Sequence, residues 1–328
     1  MCCGIKLLSQ GVCSTQSIIS NILKQEVKYN VYTPPSYYYN TKKYPVLYLL
    51  HGLYGNYMNW TDHNMAFTMD TVIANGAKEM IVIMPNGMDS WYCNNFDNRN
   101  LKYEDFMVQE LIPQVESKYR IVSSRGSRAI AGLSMGGYGA TYHAFKYRDM
   151  YSSCYSMSGA LTGMAPSIEY LIDTLTTEQL QSLPAYTMEI GIQDQNCYYM
   201  NTNFHQFLNS KNIVHTYIER NGIHDWTFWE ECLPKAIRFV SDNFETIPTT
   251  ITSEYEFNDE IYPNPAGNTI NISDIYNADV QIFDMSGRKV LQLAKVNYSI
   301  DVSSLNTGTY IVKLNNATNS CVKKIVKK

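Results

Sequence analysis

The feature that most constrains the fold of this chain is the pentapeptide Gly132-Leu133-Ser134-Met135-Gly136. It follows a short apolar stretch, 128–131, and precedes residues 137–144, which can start a helix. A strand, the pattern G-x-S-x-G and a helix together are typical of the nucleophile elbow, a tight turn that exposes a strained serine. Side chains two residues before and after the serine would collide there, which explains both glycines. We therefore predict that Ser134 is a nucleophile; the alternative is a glycine-rich turn with a chemically silent serine.

The first 244 residues predict strands that alternate with helices. Continuous apolar runs at 46–50 and 80–85 are typical of strands buried on both faces. Further strands are predicted at 24–33, 128–131, 151–157, 186–191 and 214–219, and helices at 64–75, 103–119 with a kink at Pro113, 203–210 and 226–244. This alternation predicts an α/β fold with a doubly wound, mostly parallel sheet.

A serine nucleophile requires a general base, and that base requires an acid to orient it. Of the six histidines, only His224 lies in a loop after the last predicted strand, where the base belongs in the order serine, acid, histidine. Asp194 directly follows the strand at 186–191 and is the predicted acid. The alternatives are a surface-loop histidine and a turn aspartate that accepts backbone N–H groups.

Two segments are candidates for an oxyanion hole. The N–H of Met135, at the predicted helix start, points to where an oxyanion would form. The loop His51-Gly52-Leu53-Tyr54-Gly55 follows the apolar run at 46–50, and loops in this place commonly supply the second N–H. An ordinary strand-ending turn is the alternative for that loop.

Four aromatic residues are candidates for substrate binding. Trp91, Tyr92 and Phe96 lie on the long loop 86–100, and Trp60 lies after the predicted oxyanion loop. Long loops at the carboxyl ends of strands build substrate sites, so we expect an aromatic wall beside the nucleophile. Anchoring of the loop to the core is the alternative role.

Composition excludes several functions. A net charge of −4 gives no electrostatic case for nucleic acid or an anionic membrane, and no stretch approaches the roughly 18 apolar residues of a membrane span. The 8 cysteines form no paired CxxC set, so neither a zinc site nor another metal or cofactor is expected. Their scatter fits either buried thiols or one or two disulfides.

Changes in composition and in the pattern of apolar residues along the chain predict four segments. Residues 1–23 are interpreted as an N-terminal segment with the features of a degenerate signal peptide, because Lys6 precedes only a short apolar stretch. Residues 24–244 form the α/β domain, and 245–261 read as a polar linker. Residues 262–328 predict a small β-sandwich-like domain, with strands at 269–273, 279–284, 288–293, 297–302, 309–315 and 320–326.

Four motifs, at 51–55, 103–120, 131–137 and 224–229, resemble the esterase-D-type α/β-hydrolases, and among these the feruloyl and acetylxylan esterases of plant cell-wall degradation. The resemblance spans about residues 25–244. It implies that Ser134 is the nucleophile, His224 the base and Asp194 the acid, with N–H groups of Leu53 and Met135 in the oxyanion hole. One departure is Asn221-Gly222-Ile223-His224, where relatives often have two glycines before the histidine.

The C-terminal residues have a resemblance of their own. Tyr262-Pro263-Asn264-Pro265 and the stretches 280–287, 308–314 and 323–327 resemble the C-terminal sorting domain of the type IX secretion system. This implies export across the outer membrane of a Gram-negative bacterium, to the medium or the cell surface, with the secretion machinery as a partner. The alternative is a small β-sandwich that binds carbohydrate.

These features together predict a secreted serine carboxylesterase that removes feruloyl or acetyl groups from plant cell-wall polysaccharide or oligosaccharide through an acyl-enzyme. An S-formylglutathione hydrolase-like thioesterase is one alternative, although a cytosolic enzyme has no use for a sorting domain. An acyltransferase would share the elbow and the three catalytic residues. The non-enzymatic alternative is a carbohydrate-binding protein on an inactive hydrolase fold.

Overall fold

The structure is a computed structural model that describes residues 10–97, 99–245, 261–272, 278–315 and 320–328. Its contacts divide the chain into two compact units. The first comprises the described residues of Met1–Pro35 and Lys43–Ile247, and the second those of Ser36–Lys42 and Pro248–Lys328. Each unit is described by itself below.

The first unit is built on an eight-stranded sheet. Its strands are β1 (Val12–Ser20), β2 (Gln25–Thr33), β3 (Val46–Leu50), β4 (Ile81–Pro85), β5 (Arg128–Leu133), β6 (Ser153–Met157), β7 (Ala185–Gly191) and β8 (Thr216–Arg220). They lie in the order β1-β2-β4-β3-β5-β6-β7-β8. The β1–β2 and β2–β4 pairs are antiparallel, and all the other neighbours run parallel, which confirms the predicted mostly parallel sheet.

Helices connect these strands. They are α1 (Asn59–Asp62), α2 (Met65–Ala74), α3 (Tyr103–Phe106), α4 (Ile112–Lys118), α5 (Met135–Lys146), α6 (Ile168–Asp173), α7 (Thr177–Gln181), α8 (Tyr198–Ser210) and α9 (Trp226–Asn243). A π-helical turn, Met107–Leu111, separates α3 from α4, and a 3₁₀ turn, Arg125–Ser127, precedes β5. Pro113, where the sequence predicts a kink, lies in the first turn of α4, directly after this π-helical turn.

Both faces of the central sheet are covered, because successive residues of a strand point to opposite sides. Leu47 and Leu49 of β3 pack in one apolar cluster with Met69 of α2 and Ile237 of α9. The alternate residues of β3 to β6 are equally buried. On that opposite face, α5 contacts β7 through the Thr141 hydroxyl, 3.1 Å from the Tyr186 hydroxyl. The doubly wound arrangement is therefore confirmed.

The N-terminal boundary of the α/β domain differs from the prediction. Val12–Ser20, inside the predicted N-terminal segment 1–23, forms β1 and pairs with β2 along its whole length. The sheet therefore starts at Val12 rather than at residue 24, and the signal-peptide interpretation is wrong for these residues. The sequence pattern misses β1 because it is an edge strand in which only Ile18 and Ser20 are buried. Residues 1–9 lie outside the described residues.

The second unit is all β. Its strands are β9 (Ile261–Tyr262), β10 (Thr269–Ile272), β11 (Ala278–Asp284), β12 (Lys289–Val296), β13 (Ser299–Asp301), β14 (Gly308–Asn315) and β15 (Ser320–Lys327), with a 3₁₀ turn at Tyr37–Tyr39. They form two antiparallel sheets, β13-β10-β9 and β12-β11-β14-β15. One apolar core contains residues of both sheets, as in the predicted β-sandwich. Of the predicted linker 245–261, all but the two end residues lie outside the described residues.

Two further expectations from the sequence concern membrane-spanning helices and the state of the cysteines. Among the described helices, none combines the length and apolarity that a bilayer crossing requires. Five cysteines are free thiols: Cys13, Cys93, Cys154, Cys197 and Cys232. For these five, the structure favours buried or half-buried thiols over disulfides. Cys2 and Cys3 lie outside the described residues, and so does the side chain of Cys321.

Candidate active site

Ser134 lies between the last residue of β5 and the first residue of α5. Its backbone has φ 53° and ψ −118°, a positive φ that is uncommon and strained for a residue other than glycine. A Cβ atom on Gly132 would collide with the backbone of Gly136, and one on Gly136 would collide with the carbonyl of Leu50. The turn therefore requires glycine at both positions, and it exposes the serine hydroxyl at the carboxyl edge of the sheet.

The structure brings Ser134, His224 and Asp194 together. His224 Nε2 lies 2.9 Å from Ser134 Oγ, and His224 Nδ1 lies 2.7 Å from Asp194 Oδ2. The three residues follow β5, β8 and β7, whose carboxyl ends meet at one edge of the sheet. With the Nδ1–H of His224 donated to the carboxylate, Nε2 is free to accept the serine proton. The arrangement suits nucleophilic attack by Ser134.

Asp194 is fully buried, yet it is well provided with hydrogen bonds. Its Oδ1 accepts the backbone N–H groups of Asn196 at 3.0 Å and Cys197 at 2.9 Å. Burial alone would raise the pKa of Asp194, but the hydrogen bonds from His224 and Cys197 and the charge of His224 outweigh it and lower the pKa. The carboxylate therefore stays ionised and can orient the imidazole.

The two residues predicted for the oxyanion hole, Met135 and Leu53, lie at the start of α5 and in the turn after β3. Met135 is the first residue of α5, so its N–H has no partner within the helix, and the positive end of the helix dipole favours an anion there. Leu53, in the turn after β3, lines the cavity. That turn is held by the Gly55 N–H, which donates to Gly52 O at 3.1 Å, and by the Tyr54 N–H, which donates to Asp89 Oδ1 at 2.6 Å.

The buried ring of His51 contacts the backbone of this turn. Its Nδ1 lies 2.7 Å from Gly52 O, and its Nε2 accepts the Gly87 N–H at 2.7 Å. These partners require a neutral ring with the proton on Nδ1. Burial lowers the pKa of His51, which keeps the ring neutral. His51 therefore connects the Leu53 turn to the loop that carries Trp91.

The cavity above Ser134 has a volume of ≈ 540 Å³. Its lining is rich in tryptophan and methionine: Gly52, Leu53, Tyr54, Gly55, Asn59, Trp91, Leu133, Ser134, Ala160, Met164, Asn196, Cys197, Met200, His224, Trp226 and Trp229. A volume of this size falls within the roughly 300–1,000 Å³ of small-molecule sites.

The four predicted substrate aromatics have different places. Trp91 lines the cavity, and Phe96 stacks on Trp91 with ring centroids 4.9 Å apart rather than lining the cavity itself. The prediction is wrong for Trp60 and Tyr92, which are buried in the core. Trp60 donates its indole N–H to Leu50 O, and Tyr92 donates its hydroxyl to His51 O. Each side chain therefore holds the backbone at the end of β3 rather than lining the cavity.

Two tryptophans of the cavity wall, Trp226 and Trp229, were not predicted from the sequence. Trp226 and Trp229 lie three residues apart in the first turn of α9 and so share one face of that helix. His224 packs edge-on against Trp229, with centroids 5.0 Å apart. The signal was available, because a helix that starts two residues after the predicted base turns its first-turn side chains toward that base.

Within the described part of the chain, Asp194, Cys197 and His224 each offer a possible metal-ligand atom within 4.8 Å of the others. Asp194 and His224 are already hydrogen-bonded to each other. Burial, together with the nearby Asp194 carboxylate, raises the pKa of the Cys197 thiol to about 12, which disfavours the thiolate that a metal needs. These residues fit a hydrogen-bonded acid–base pair better than a metal centre.

Comparison with known families gives two matches. The family model described as "Putative esterase" matches residues 20–183, and that of the secretion system C-terminal sorting domain matches residues 260–328.

Individual relatives agree with the first match. An acetyl esterase of Caldicellulosiruptor saccharolyticus is 27% identical over 227 residues, which are 60% of this chain and 82% of that relative. An endo-1,4-beta-xylanase/feruloyl esterase of Xylanibacter ruminicola is 36% identical over 120 residues, 33% of this chain but only 16% of that longer protein. The solved structure of a ferulic acid esterase superposes with a TM-score of 0.67 at 31% identity and covers 72% of this chain and 99% of its own.

Proposed function

The chain belongs to the esterase family and is a serine carboxylesterase, and from this premise we propose that Ser134, His224 and Asp194 are its catalytic triad and that it deacylates plant cell-wall polysaccharide. Its C-terminal sorting domain makes it a secreted or cell-surface protein of a Gram-negative bacterium. The observation that carries the triad is the pair of distances from His224, 2.9 Å to Ser134 Oγ and 2.7 Å to Asp194 Oδ2.

In the acylation step, Ser134 Oγ attacks the ester carbonyl carbon while His224 Nε2 takes the hydroxyl proton. The negative charge of the tetrahedral intermediate forms beside the N–H groups of Leu53 and Met135. His224 then returns the proton to the departing sugar oxygen, the carbon–oxygen ester bond breaks, and the acyl group remains on Ser134. Asp194 keeps the imidazole in the required tautomer and stabilises its positive charge.

Deacylation repeats these steps with water in place of the serine hydroxyl. His224 takes a proton from water, whose oxygen attacks the acyl carbon, and the same two N–H groups face the oxyanion. Collapse of the intermediate releases the carboxylic acid and returns the proton to Ser134. No group beyond those of this chain and water is needed for the balance.

The aromatic side chains of the cavity wall favour a substrate with an aromatic acyl group. Trp91, Trp226 and Trp229 line it, and stacking between aromatic rings contributes about 0.5–1.5 kcal/mol beyond simple burial. Feruloyl esters fit such a wall, and the relatives named above include both feruloyl and acetyl esterases. We therefore propose feruloyl esters as the preferred substrates and acetyl esters as smaller ones.

The test uses the full chain and two serine variants. Ser134→Ala removes the attacking oxygen, so we expect a loss in kcat on the order of 10⁴- to 10⁶-fold and no labelling by a fluorophosphonate probe. Ser123→Ala is the matched control, because Ser123 is exposed and precedes β5, at the end of that strand opposite to the elbow. It should leave hydrolysis and labelling unchanged.

Substrates are compared in the same assay: a feruloyl ester, acetylated xylan and S-formylglutathione. Hydrolysis near the wild-type rate by Ser134→Ala would mean that another group is the nucleophile. Turnover of the thioester with neither oxygen ester cleaved would favour the thioesterase alternative. A wild-type chain that takes the label but cleaves no polysaccharide ester would remove the proposed substrate class.

A further inference from the structure

The loops that carry Asp194 and His224 contact each other directly beyond the paired strands. The register of β7 and β8 ends at Gly191 and Arg220. The Ile192 N–H then donates to Arg220 O at 2.9 Å. A Cβ atom on Gly191 would collide with the carbonyl of Gly222, so the two backbones approach too closely for a side chain between them.

Gln193 makes the next two connections, and both go to the same residue. Its backbone N–H donates to Gly222 O at 3.1 Å, and its side-chain Oε1 accepts the Gly222 N–H at 2.8 Å. Gln193 thus binds both polar backbone groups of Gly222. In the sequence, Gln193 precedes Asp194 by one residue, and Gly222 precedes His224 by two.

Gly222 is also fixed in conformation. Its φ of 152° is one that residues with side chains rarely adopt, and a Cβ atom there would collide with the ring of Phe228. It belongs to the segment Asn221-Gly222-Ile223-His224, which leads to the proposed base. The Gln193 side chain also reaches the other end of this segment, with Nε2 3.4 Å from Asn221 Oδ1.

We propose that Gln193 is a positioning residue, which holds the His224 loop against the Asp194 loop through the acceptor oxygen of its side chain. This inference rests on the proposed role of Ser134, His224 and Asp194. Asn221 and Ile223 are exposed, so apolar burial does little to hold this loop. Besides the contact of His224 with Trp229, hydrogen bonds therefore hold this loop. Loss of the Oε1 bond frees the Gly222 N–H to water and lets the imidazole leave its alignment with Ser134.

The site suits a clean substitution, because the Gln193 side chain is exposed and its removal creates no cavity. Gln193→Ala keeps the backbone bond but removes the acceptor. Gln193→Glu keeps an acceptor oxygen at the same distance along the side chain. Gln195→Ala removes the same type of side chain from another exposed position of the same turn and is the matched control.

We expect Gln193→Ala to lower kcat about fivefold with KM unchanged, and to slow fluorophosphonate labelling of Ser134 by the same factor. Labelling reports the reactivity of Ser134 without the polysaccharide, so it separates positioning of His224 from contact with substrate. Gln193→Glu should restore both rates to within about twofold of wild type. Gln195→Ala should match wild type, and the thermal transition of all three variants should be unchanged.

Four results would overturn the proposal. Unchanged kcat and labelling in Gln193→Ala would make the bond dispensable, and a raised KM with unchanged kcat would make Gln193 a substrate contact. A Gln193→Glu variant as slow as Gln193→Ala would exclude the acceptor as the cause. A Gln195→Ala variant equally slow would indicate a general effect on the turn. Failure of the triad itself would look different, because Ser134→Ala would then equal wild type.

Discussion

The buried ion pair between Glu116 and Arg128 provides a quantitative test of how β5 is held. Arg128 is the first residue of β5, the strand that ends at the elbow. Its Nε lies 2.6 Å from Glu116 Oε1 and its Nη2 2.7 Å from Oε2, a bidentate arrangement, while Nη1 donates to Met150 O at 2.8 Å. Relative exposures of 9% for Glu116 and 8% for Arg128 place both charges away from water.

Glu116→Ala should destabilise the first unit strongly, because it leaves a guanidinium in the interior without its counter-charge. Burial works to lower the pKa of Arg128, but the hydrogen bonds and charge of Glu116 outweigh it and raise the pKa. Breaking a buried pair of this kind costs about 3–5 kcal/mol, against roughly 0–1 kcal/mol for an exposed pair. At about 2–4 °C per kcal/mol for a unit of this size, Tm should fall by about 6–20 °C.

The measurement is thermal and urea denaturation of the full chain followed by circular dichroism. Asp173→Asn is the control, since Asp173 is 48% exposed in its pair with Lys211 and should cost no more than about 0.5 kcal/mol. The double variant Glu116→Ala, Arg128→Met should cost less than the sum of the two single changes, because it leaves no unpaired buried charge. A cost below about 1 kcal/mol for Glu116→Ala would refute the argument.

Three further predictions concern specificity, domain organisation and pH. Trp91→Ala should lower kcat/KM for a feruloyl ester more than for a small acetyl ester, and equal losses on both would indicate loop anchoring instead. We propose that the region from 245 to 328 is a separable module, so a chain that ends at Phe244 should keep its esterase activity and thermal transition; unfolding on truncation would contradict this. Burial lowers the pKa of His51 and His143 below the ordinary 6.5, so the unfolded chain takes up protons first as the pH falls below 6.5. The urea concentration at the unfolding midpoint should therefore decrease as the pH is lowered from 7 to 5. A midpoint that stays constant would contradict this coupling between protonation and stability.

Much of the fold follows from local pattern. The continuous apolar runs of β3 and β4 require burial on both faces, which only a sheet covered by helices on each side provides. The spacing of Gly132, Ser134 and Gly136 specifies a turn in which a side chain at position 132 or 136 would collide with the backbone. The chain order of Ser134, Asp194 and His224, each after a strand of one parallel sheet, is enough to predict that they meet.

Other features depend on contacts between distant residues, and no local pattern contains them. Trp60 and Trp91 look alike in sequence, but the Leu50 carbonyl and the ring of Trp226 bury the first, while the second faces the cavity. The strand β1 is almost as polar as a loop and is recognisable only through its pairing with β2. Gln193 and Gly222 are 29 residues apart, and only the close approach of two loops at the end of β7 and β8 makes them partners. A sequence pattern reports which face of an element is apolar, whereas the packing of the whole chain decides what covers that face and which polar groups meet.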